Sequence, residues 1–348
     1  MWLVSVSFLA CKQIIAVFQV RVKCPKSGYN LPMDYLIGID IGGTNIRCAL
    51  FPQGKSEFAR VEKISTQNPE DPKEQPVDRL IQCIKNIWPP DGNVLGMCAA
   101  APGSIDYGRG MVLLAPNIPG WVEYPLREKL QEKFDTTILI ENDANMAGYG
   151  EFKLGAGKGH NNMLYFTVST GLGGGVIIKG KLLQGEIGIA TELGHIVVQD
   201  KGAMCGCGKR GHWEAYSSGT GIESYIREQI ELNPENARGF SKSAPGTAEI
   251  ADAARRGNAL ALAAFERAGY YMGIGLSNYL HIFNPSCVVF GGGVTNSWDL
   301  IDHHFRHSLK EHVLNQRYIE NLKIAIAELG DDAGLVGCAE FLRDQLAG

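Results

Sequence analysis

The sequence predicts an α/β protein whose two lobes share a duplicated unit. A pattern of strand, glycine turn and strand occurs at residues 35–51 and again at residues 162–181, about 130 residues later, and such self-similarity is typical of duplication. Residues 136–140 (TTILI) form a β-branched, apolar run that predicts a buried strand, followed directly by a predicted helix over residues 144–154. The length of 348 residues allows two domains.

Composition excludes several classes of protein. The hydrophobic content of 45% and charged content of 20% are those of a soluble globular protein. A net charge of -4 without any run of Lys or Arg argues against a nucleic-acid surface. Five of the nine cysteines are isolated in apolar stretches, which predicts small buried side chains in a reducing compartment and hence a cytoplasmic protein: Cys48, Cys83, Cys98, Cys287 and Cys338.

Residues 1–32 differ from the rest of the chain. Residues 2–20 are apolar, but Lys12 and Gln13 interrupt them, no basic segment precedes them and no small-residue cleavage site follows. A signal peptide or membrane anchor stays an alternative, although the pattern fits either poorly, and no membrane association is expected. Because Met33 directly precedes a natural first strand, we expect translation to begin there and residues 1–32 to lie outside the fold.

The first glycine turn is residues 40–44 (DIGGT). Paired glycines let the backbone approach a ligand closely, with amide groups free to hold phosphate oxygens. Asp40 stands where a carboxylate could hold the water shell of Mg²⁺. A simple hairpin turn is the alternative, and the second glycine turn at residues 169–175 (STGLGGG) makes it less favoured, since two facing turns could grip a polyphosphate.

The remaining elements alternate between helices and strands. Apolar spacing predicts helices over residues 76–88, 122–134, 248–255, 259–283, 298–314 and 331–346, and strands over residues 94–101, 286–290 and 322–327. Residues 115–121 are predicted to be a loop. The glycines at residues 291–293 follow a buried strand and fit close packing of a nucleotide base and ribose, with a helix cap or βα turn as the alternative.

Residues 141–145 (ENDAN) lie at the junction between the predicted strand and helix. A carboxylate there points into the crevice where an open α/β sheet binds its ligands. Asp143 is therefore the candidate general base, although Asn and Asp are also ordinary helix N-caps. At a helix N-terminus we expect Asp143 to be ionised at neutral pH.

A group of possible metal ligands follows within 18 residues: His195, Cys205, Cys207 and His212. Two imidazoles and two thiolates suffice for a tetrahedral zinc site, which would be closed and therefore structural. Such a site would fix the loop that carries Glu192, His195 and Glu214. Two unrelated cysteines in a glycine-rich loop are the alternative.

These motifs together resemble the ROK sugar kinases (repressor, ORF, kinase) of the actin/hexokinase superfamily. The matching segments occur in family order over about nine-tenths of the chain: residues 40–44, 141–145, 169–175, 192–195 (ELGH), 205–208 (CGCG) and 291–294 (GGGV). The resemblance implies a two-lobed actin-like ATPase of duplicated ribonuclease H-like domains, with a zinc-braced loop in the larger lobe. Residues 33–148 and 331–348 would form the small N-terminal lobe and residues 149–330 the larger C-terminal lobe, and a homodimer fits the family.

The resemblance also implies roles for individual residues. Asp143 would be the catalytic base. The sugar would contact Gly103, Asn117, Asn142, Asp143, Glu192, His195 and Glu214. ATP with Mg²⁺ would contact Asp40, Gly42, Gly43, Thr44, Thr170, Gly171, Gly173, Gly291 and Gly292. Zn²⁺ would be bound by His195, Cys205 and Cys207, with His212 at the family's third cysteine position. This exchange changes the formal charge of the site from -1 to 0, so we expect the site to survive but to lose metal more readily in mild acid.

The expected reaction is therefore ATP-dependent phosphorylation of a hexose, with O6 of glucose as the acceptor. A kinase for N-acetylmannosamine, N-acetylglucosamine, fructose or allose is the alternative, because epimers and acetamido groups are distinguished by pocket shape and a few hydrogen bonds. A sugar-responsive transcriptional repressor is a further alternative. It is disfavoured because the segment before the first turn has few basic residues and no two-helix pattern.

Overall fold

The structure is a computed structural model that describes residues 33–242 and 244–348. The predicted leader at residues 1–32 lies outside these residues. Within them, no helix combines the length and the apolar character needed to cross a membrane.

The described residues contain thirteen strands, and most of them follow the apolar runs of the sequence. They are β1 (Asp34–Ile41), β2 (Asn45–Pro52), β3 (Arg60–Ser65), β4 (Asn93–Ala101), β5 (Ser104–Asp106), β6 (Met111–Leu114), β7 (Val122–Tyr124), β8 (Thr137–Asn142), β9 (Met163–Val168), β10 (Leu172–Ile178), β11 (Lys181–Leu182), β12 (Cys287–Gly291) and β13 (Lys323–Ile326).

Ten α-helices occur in the described part of the chain. They are α1 (Pro76–Ile87), α2 (Leu126–Gln131), α3 (Asp143–Leu154), α4 (Glu214–Ser217), α5 (Gly219–Leu232), α6 (Thr247–Arg255), α7 (Ala259–Phe283), α8 (Trp298–His312), α9 (Arg317–Glu320) and α10 (Ala333–Ala347). Short 3₁₀ turns also occur, including Leu193–His195 and Gly293–Ser297.

Two five-stranded sheets have the same strand order, which confirms the predicted duplication. The first is β3-β2-β1-β4-β8 and the second is β11-β10-β9-β12-β13. In each sheet, the three strands that come first in the chain pair antiparallel with one another as a meander. The fourth strand then pairs parallel with the first, and the fifth pairs parallel with the fourth. The glycine turns connect β1 to β2 and β9 to β10. The two turns are therefore equivalent positions of one repeated unit.

Helices α3 and α10 join the two sheets. Their apolar residues share one core cluster with residues from both sheets, among them Leu36, Cys98, Met146, Val289 and Leu335. The outer faces of the sheets bury separate clusters against α1 and α2 on one side and against α5 to α8 on the other. Most residues of α3 are buried, and Asp143 is the first residue of this helix. Its carboxylate is therefore held between the two sheets.

All five isolated cysteines are fully buried, as predicted. The prediction of one helix over residues 122–134 was wrong. β7 pairs antiparallel with β6 in a small third sheet, and α2 begins only after Pro125. Proline disfavours helical conformation in the residue before it, and the alternating residues ahead of it suit an edge strand better than a helix.

Candidate functional site

The strand-to-helix junction fixes Asn142 and Asp143. Asn142 caps α3, since its Oδ1 accepts a hydrogen bond from the backbone nitrogen of Asn145 at 3.0 Å. Its Nδ2 donates to the carbonyl oxygen of Gly103 at 3.0 Å. Asp143 Oδ1 accepts from the backbone nitrogen of Ala144 at 2.8 Å. The cap therefore orients both side chains that the sequence assigned to the site.

Burial raises the pKa of Asp143 to about 6, and the nearby carboxylates of Asp40 and Glu192 add to the rise. The hydrogen bond from Ala144 opposes it. With a pKa of about 6, this carboxylate is mainly ionised above pH 7, and it binds a proton more strongly than an exposed aspartate would, as suits a base. Burial likewise raises the pKa of the adjacent Glu141 to about 7.

All seven residues predicted to contact the sugar line one cavity of about 470 Å³. The second glycine turn also lines it, through Thr170, Gly171 and Gly173. Its wall further includes residues that the sequence did not single out, such as Ser104, Thr167 and Thr191. We call this the sugar-side cavity.

Gly103 and Gly43 are required by close backbone contacts around this cavity. Gly103 has a φ of +85°, and a Cβ built there would lie 2.0 Å from the carbonyl oxygen of Leu114. A Cβ at Gly43 would lie 2.9 Å from the Cβ of Asn117. The first glycine turn is thus packed directly against the loop that carries Asn117, so any shift of one loop moves the other.

Asp143 also lines a second cavity of about 470 Å³, together with Asp40, Gly291 and Gly292. We call this the phosphate-side cavity. Asp40, Gly42, Gly43 and Thr44 line a further cavity of about 460 Å³. Asp40 and Asp331 line both the phosphate-side cavity and this further cavity, and Asp143 lines both the phosphate-side and the sugar-side cavity. The two glycine turns therefore line different cavities, and the phosphate-side cavity adjoins both of them.

Asp40 and Asp331 are two carboxylates at this junction, and only the first was identified from sequence. Burial raises the pKa of Asp40, Arg47 opposes the rise, and Asp331 adds to it. Arg47 also donates to the carbonyl oxygen of Asp331 at 2.5 Å. Carboxylates accompanied by phosphate oxygens and water are the ligands that Mg²⁺ prefers, so this pair fits such an ion.

A fourth cavity, of about 360 Å³, was not expected from the sequence, and Gly293 forms part of its wall. Its wall includes Thr170, Thr220, Glu223 and Thr247. Glu223 is fixed there, because its Oε1 accepts from the backbone nitrogen of Thr247 at 2.7 Å and from its Oγ1 at 2.8 Å. The signal available in the sequence was the polar, glycine-containing start of α5.

The four predicted metal ligands form one cluster, with their donor atoms all within 4.8 Å of one another. His195 Nδ1 lies 3.3 Å from His212 Nδ1 and 3.7 Å from Cys205 Sγ, and Cys207 Sγ lies 3.2 Å from His212 Nδ1. Tetrahedral zinc bonds of about 2.0–2.3 Å place neighbouring donor atoms about 3.3–3.8 Å apart. Burial lowers the pKa of His212, which favours the neutral imidazole that binds metal. The spacing and the donor set therefore fit a metal ion with tetrahedral coordination.

His195 faces both predicted sites through different nitrogens. Its Nδ1 faces the cluster, while its Nε2 lies 3.9 Å from Glu192 Oε2 in the sugar-side cavity. One ring can thus bind a metal and present its other nitrogen to a hydroxyl group. Thr191, just before Glu192, has a φ of +70°, an unusual conformation for a β-branched residue that its hydrogen bond to Asn145 Oδ1 at 3.1 Å helps to hold.

Known proteins resemble the chain over nearly its whole described length. A model of the ROK family matches residues 36–345. A glucokinase of Streptomyces coelicolor is 34% identical over 318 residues, which cover 90% of this chain and 98% of the relative. A xylose repressor of Bacillus spizizenii is 30% identical over 315 residues, covering 90% of this chain and 78% of the relative.

Among solved structures, a ROK family glucokinase of Streptomyces griseus in complex with glucose and AMPPNP superposes with a TM-score of 0.72. It is 33% identical, and the match covers 88% of this chain and 98% of that one. The actin-like two-sheet fold predicted from the motifs is thereby confirmed. With its family model, its relatives and its fold in agreement, the chain belongs to the ROK family.

Proposed function

We propose that this protein is an ATP-dependent sugar kinase that transfers the γ-phosphate of ATP to O6 of glucose. The observation that carries the proposal is the position of Asp143, which lines both the sugar-side and the phosphate-side cavity. A base shared by two such cavities lies where an acceptor hydroxyl would meet a terminal phosphate. The similarity to glucokinases and to the complex with glucose and AMPPNP supports the same reaction.

In the proposed reaction, Asp143 accepts the proton of the sugar hydroxyl as its oxygen bonds to the γ-phosphorus and ADP leaves. Phosphoryl transfer depends mainly on positioning and charge neutralisation. Asn117, Asn142, Glu192, His195 and Glu214 would orient the sugar through their hydrogen-bonding groups in the sugar-side cavity. Closure of the cleft around the substrates would exclude water and limit hydrolysis of ATP.

ATP would extend across the remaining cavities. The backbone amides of the glycine turns would hold phosphate oxygens, and the cavity lined by Thr220, Glu223 and Thr247 has room for the base. Asp40 and Asp331 would hold Mg²⁺, directly or through water, and the ion would neutralise charge on the phosphates. Seven of the nine residues assigned to the nucleotide from sequence line one of these cavities, whereas Gly171 and Gly173 line the sugar-side cavity.

We further propose that the cluster of His195, Cys205, Cys207 and His212 binds a structural Zn²⁺. Four protein ligands leave no open position for substrate, so the ion would stabilise the loop rather than take part in transfer. Glu214 begins α4 two residues after His212. The ion would in this way fix three sugar-side residues: Glu192, His195 and Glu214.

A panel of sugars tests the proposal directly, with ADP release measured for the purified full chain. We expect glucose to give the highest kcat/KM, and product analysis by phosphorus NMR to place the phosphate on O6. Higher kcat/KM with N-acetylmannosamine, N-acetylglucosamine, fructose or allose would replace glucose as the acceptor and keep the kinase. If no sugar in the panel stimulates ADP release, the kinase assignment is overturned.

A sugar-responsive regulator is the second candidate, and the 30% identity to a xylose repressor favours it. A gel-shift assay on DNA fragments, with and without sugar, separates the two functions. We expect no shift. Specific DNA binding together with sugar binding and no phosphorylation would establish the regulator instead.

A further inference from the structure

Thr167 occupies an unusual position in the cleft. Three residues line both the sugar-side and the phosphate-side cavity, namely Asp143, Ala144 and Thr167. Ala144 carries only a methyl group. Thr167 is therefore the one neutral hydrogen-bond donor among the side chains of this shared wall in the described part of the chain.

The sheet around Thr167 leaves its side chain accessible. Thr167 is half-buried, whereas the other residues of β9 are buried. Its partners on the two neighbouring strands are both glycines, Gly173 on β10 and Gly291 on β12. Neither partner has a side chain, although the phenol of Tyr165 lies over Gly291 and the Ala144 methyl lies near Gly173, so access to Thr167 is from the cavities that it lines.

The hydroxyl of Thr167 is directed away from the second glycine turn. A Cβ built at Gly173 would lie 3.3 Å from the Cγ2 methyl of Thr167, so the methyl faces that glycine. Thr167 also opposes the rise that burial causes in the pKa of Tyr165. Tyr165 lines the phosphate-side cavity and not the sugar-side one. The methyl of Thr167, and not its hydroxyl, therefore lies against the second glycine turn.

Packing alone does not explain a threonine here. Valine has the same shape, is equally favourable in a strand, and leaves no hydroxyl to satisfy at a half-buried position. The carboxylates nearby, Asp40, Asp143 and Asp331, are all acceptors when ionised and cannot donate to phosphate oxygens. A donor at this point would stabilise the transferring phosphoryl group, which spreads negative charge over three equatorial oxygens.

We propose that Thr167 is a further catalytic residue, whose hydroxyl donates a hydrogen bond to an equatorial oxygen of the phosphoryl group during transfer. The inference rests on the proposed kinase function. The sugar oxygen forms a bond to the γ-phosphorus as the bond from that phosphorus to the bridging oxygen breaks. The proton of the sugar hydroxyl goes to Asp143, ADP leaves with the bridging oxygen, and Thr167 keeps its proton throughout.

The test compares Thr167→Val, which removes the hydroxyl, with Thr167→Ser, which keeps it. We expect Thr167→Val to lower kcat by about 10- to 100-fold, the range for a hydrogen bond to a charged group, and to change KM for glucose and ATP by less than about 3-fold. Thr167→Ser should stay within about 3-fold of the unmodified protein on the same reasoning. Thr137→Val, an exposed position at the start of β8, is the matched control and should change nothing.

Binding of a transition-state mimic gives a second readout. A complex of ADP, aluminium fluoride and glucose imitates the phosphoryl group during transfer. If the Thr167 hydroxyl donates only during transfer, it should strengthen binding of this complex more than binding of ADP and glucose without fluoride. We expect Thr167→Val to weaken the fluoride complex selectively. If the valine variant does not fold, Thr167→Ala against Thr167→Ser makes the same comparison.

The outcomes separate the two proposals. An unmodified protein that phosphorylates no sugar overturns the kinase function, and this inference with it. An active unmodified protein with an undiminished Thr167→Val variant overturns the inference alone. An equal loss in the valine and serine variants also overturns it, since that result indicates packing rather than a hydroxyl donor.

Discussion

Glu214 Oε2 accepts a hydrogen bond from the backbone nitrogen of Leu172 at 2.9 Å, which ties the start of α4 to the second glycine turn. The other carboxylate oxygen, Oε1, lies 3.1 Å from Cys205 Sγ in the metal cluster. One side chain thus contacts the turn, the cluster and the sugar-side cavity. Loss of this carboxylate should affect stability and sugar binding together.

Replacing Glu214 by alanine leaves the buried N–H of Leu172 without its acceptor. We expect the free energy of unfolding to fall by about 1–3 kcal/mol, as for other unsatisfied buried donors. Glu214→Gln keeps one carbonyl oxygen that can accept the bond, so its free energy of unfolding should fall less. Urea denaturation measures the effect, with Glu231→Ala on the exposed end of α5 as the control. Equal stability of the Glu214→Ala and Glu231→Ala variants would show that the hydrogen bond contributes little.

Asp143→Asn removes the proposed base while keeping size and polarity. We expect kcat to fall by about 10²- to 10⁴-fold, the range for general-base assistance, with glucose binding retained. Steady-state kinetics and calorimetric titration with glucose make the measurement. Asp91→Asn, at an exposed position before β4, is the control. Near-normal turnover of the Asp143 variant would remove this residue from the role.

The pH profile should show the raised pKa of Asp143. Because the base acts when ionised and its pKa is about 6, kcat/KM should be level above pH 7. It should fall about tenfold per pH unit well below 6, as protonation removes the base. An ordinary aspartate would keep activity to about pH 4.5.

Glu141 is the control for this profile, since its own pKa is raised to about 7. Its carboxylate accepts a hydrogen bond from Gln184, and glutamine can accept the same bond. In Glu141→Gln the acid limb should stay near pH 6. A limb that disappears in this variant would assign the titration to Glu141.

The metal cluster should contain about one zinc ion per chain in purified protein, which elemental analysis measures. His212→Ala should lose most of the metal and melt at lower temperature, because removing one of four ligands opens a structural site. His212→Cys should retain the metal, and His303→Ala on the surface of α8 should be unaffected. Full activity in a protein without zinc would contradict the bracing role.

Gly43→Ala should disturb both substrates at once. The added Cβ would meet Asn117 Cβ at 2.9 Å and Asn117 carbonyl oxygen at 3.0 Å, so one of the two loops must move. We expect kcat/KM to fall by about 10- to 100-fold for both ATP and sugar, as small misplacements of substrate-positioning loops often cause. Gly108→Ala, where the nearest atom is 3.5 Å away, is the control. A loss confined to ATP would show that the two loops are not coupled.

The sequence by itself determined most strands of the two large sheets, the repeated glycine turns, the strand-to-helix junction at Asp143 and the four clustered ligands. These features depend on short-range signals, since apolar periodicity, turn residues and ligand spacing are all visible within a few residues. The error at residues 122–134 arose where a strand pairs with a partner that the local pattern does not reveal.

Only the tertiary structure decided which cavities the motifs share. Residues on β9, α5 and α6 meet the predicted motifs through contacts between distant parts of the chain, and so the sequence did not single out Thr167, Glu223 or Thr247. The raised pKa of Asp143 has the same origin. A helix N-terminus alone favours the charged form, but burial between two sheets, beside Asp40 and Glu192, outweighs that effect.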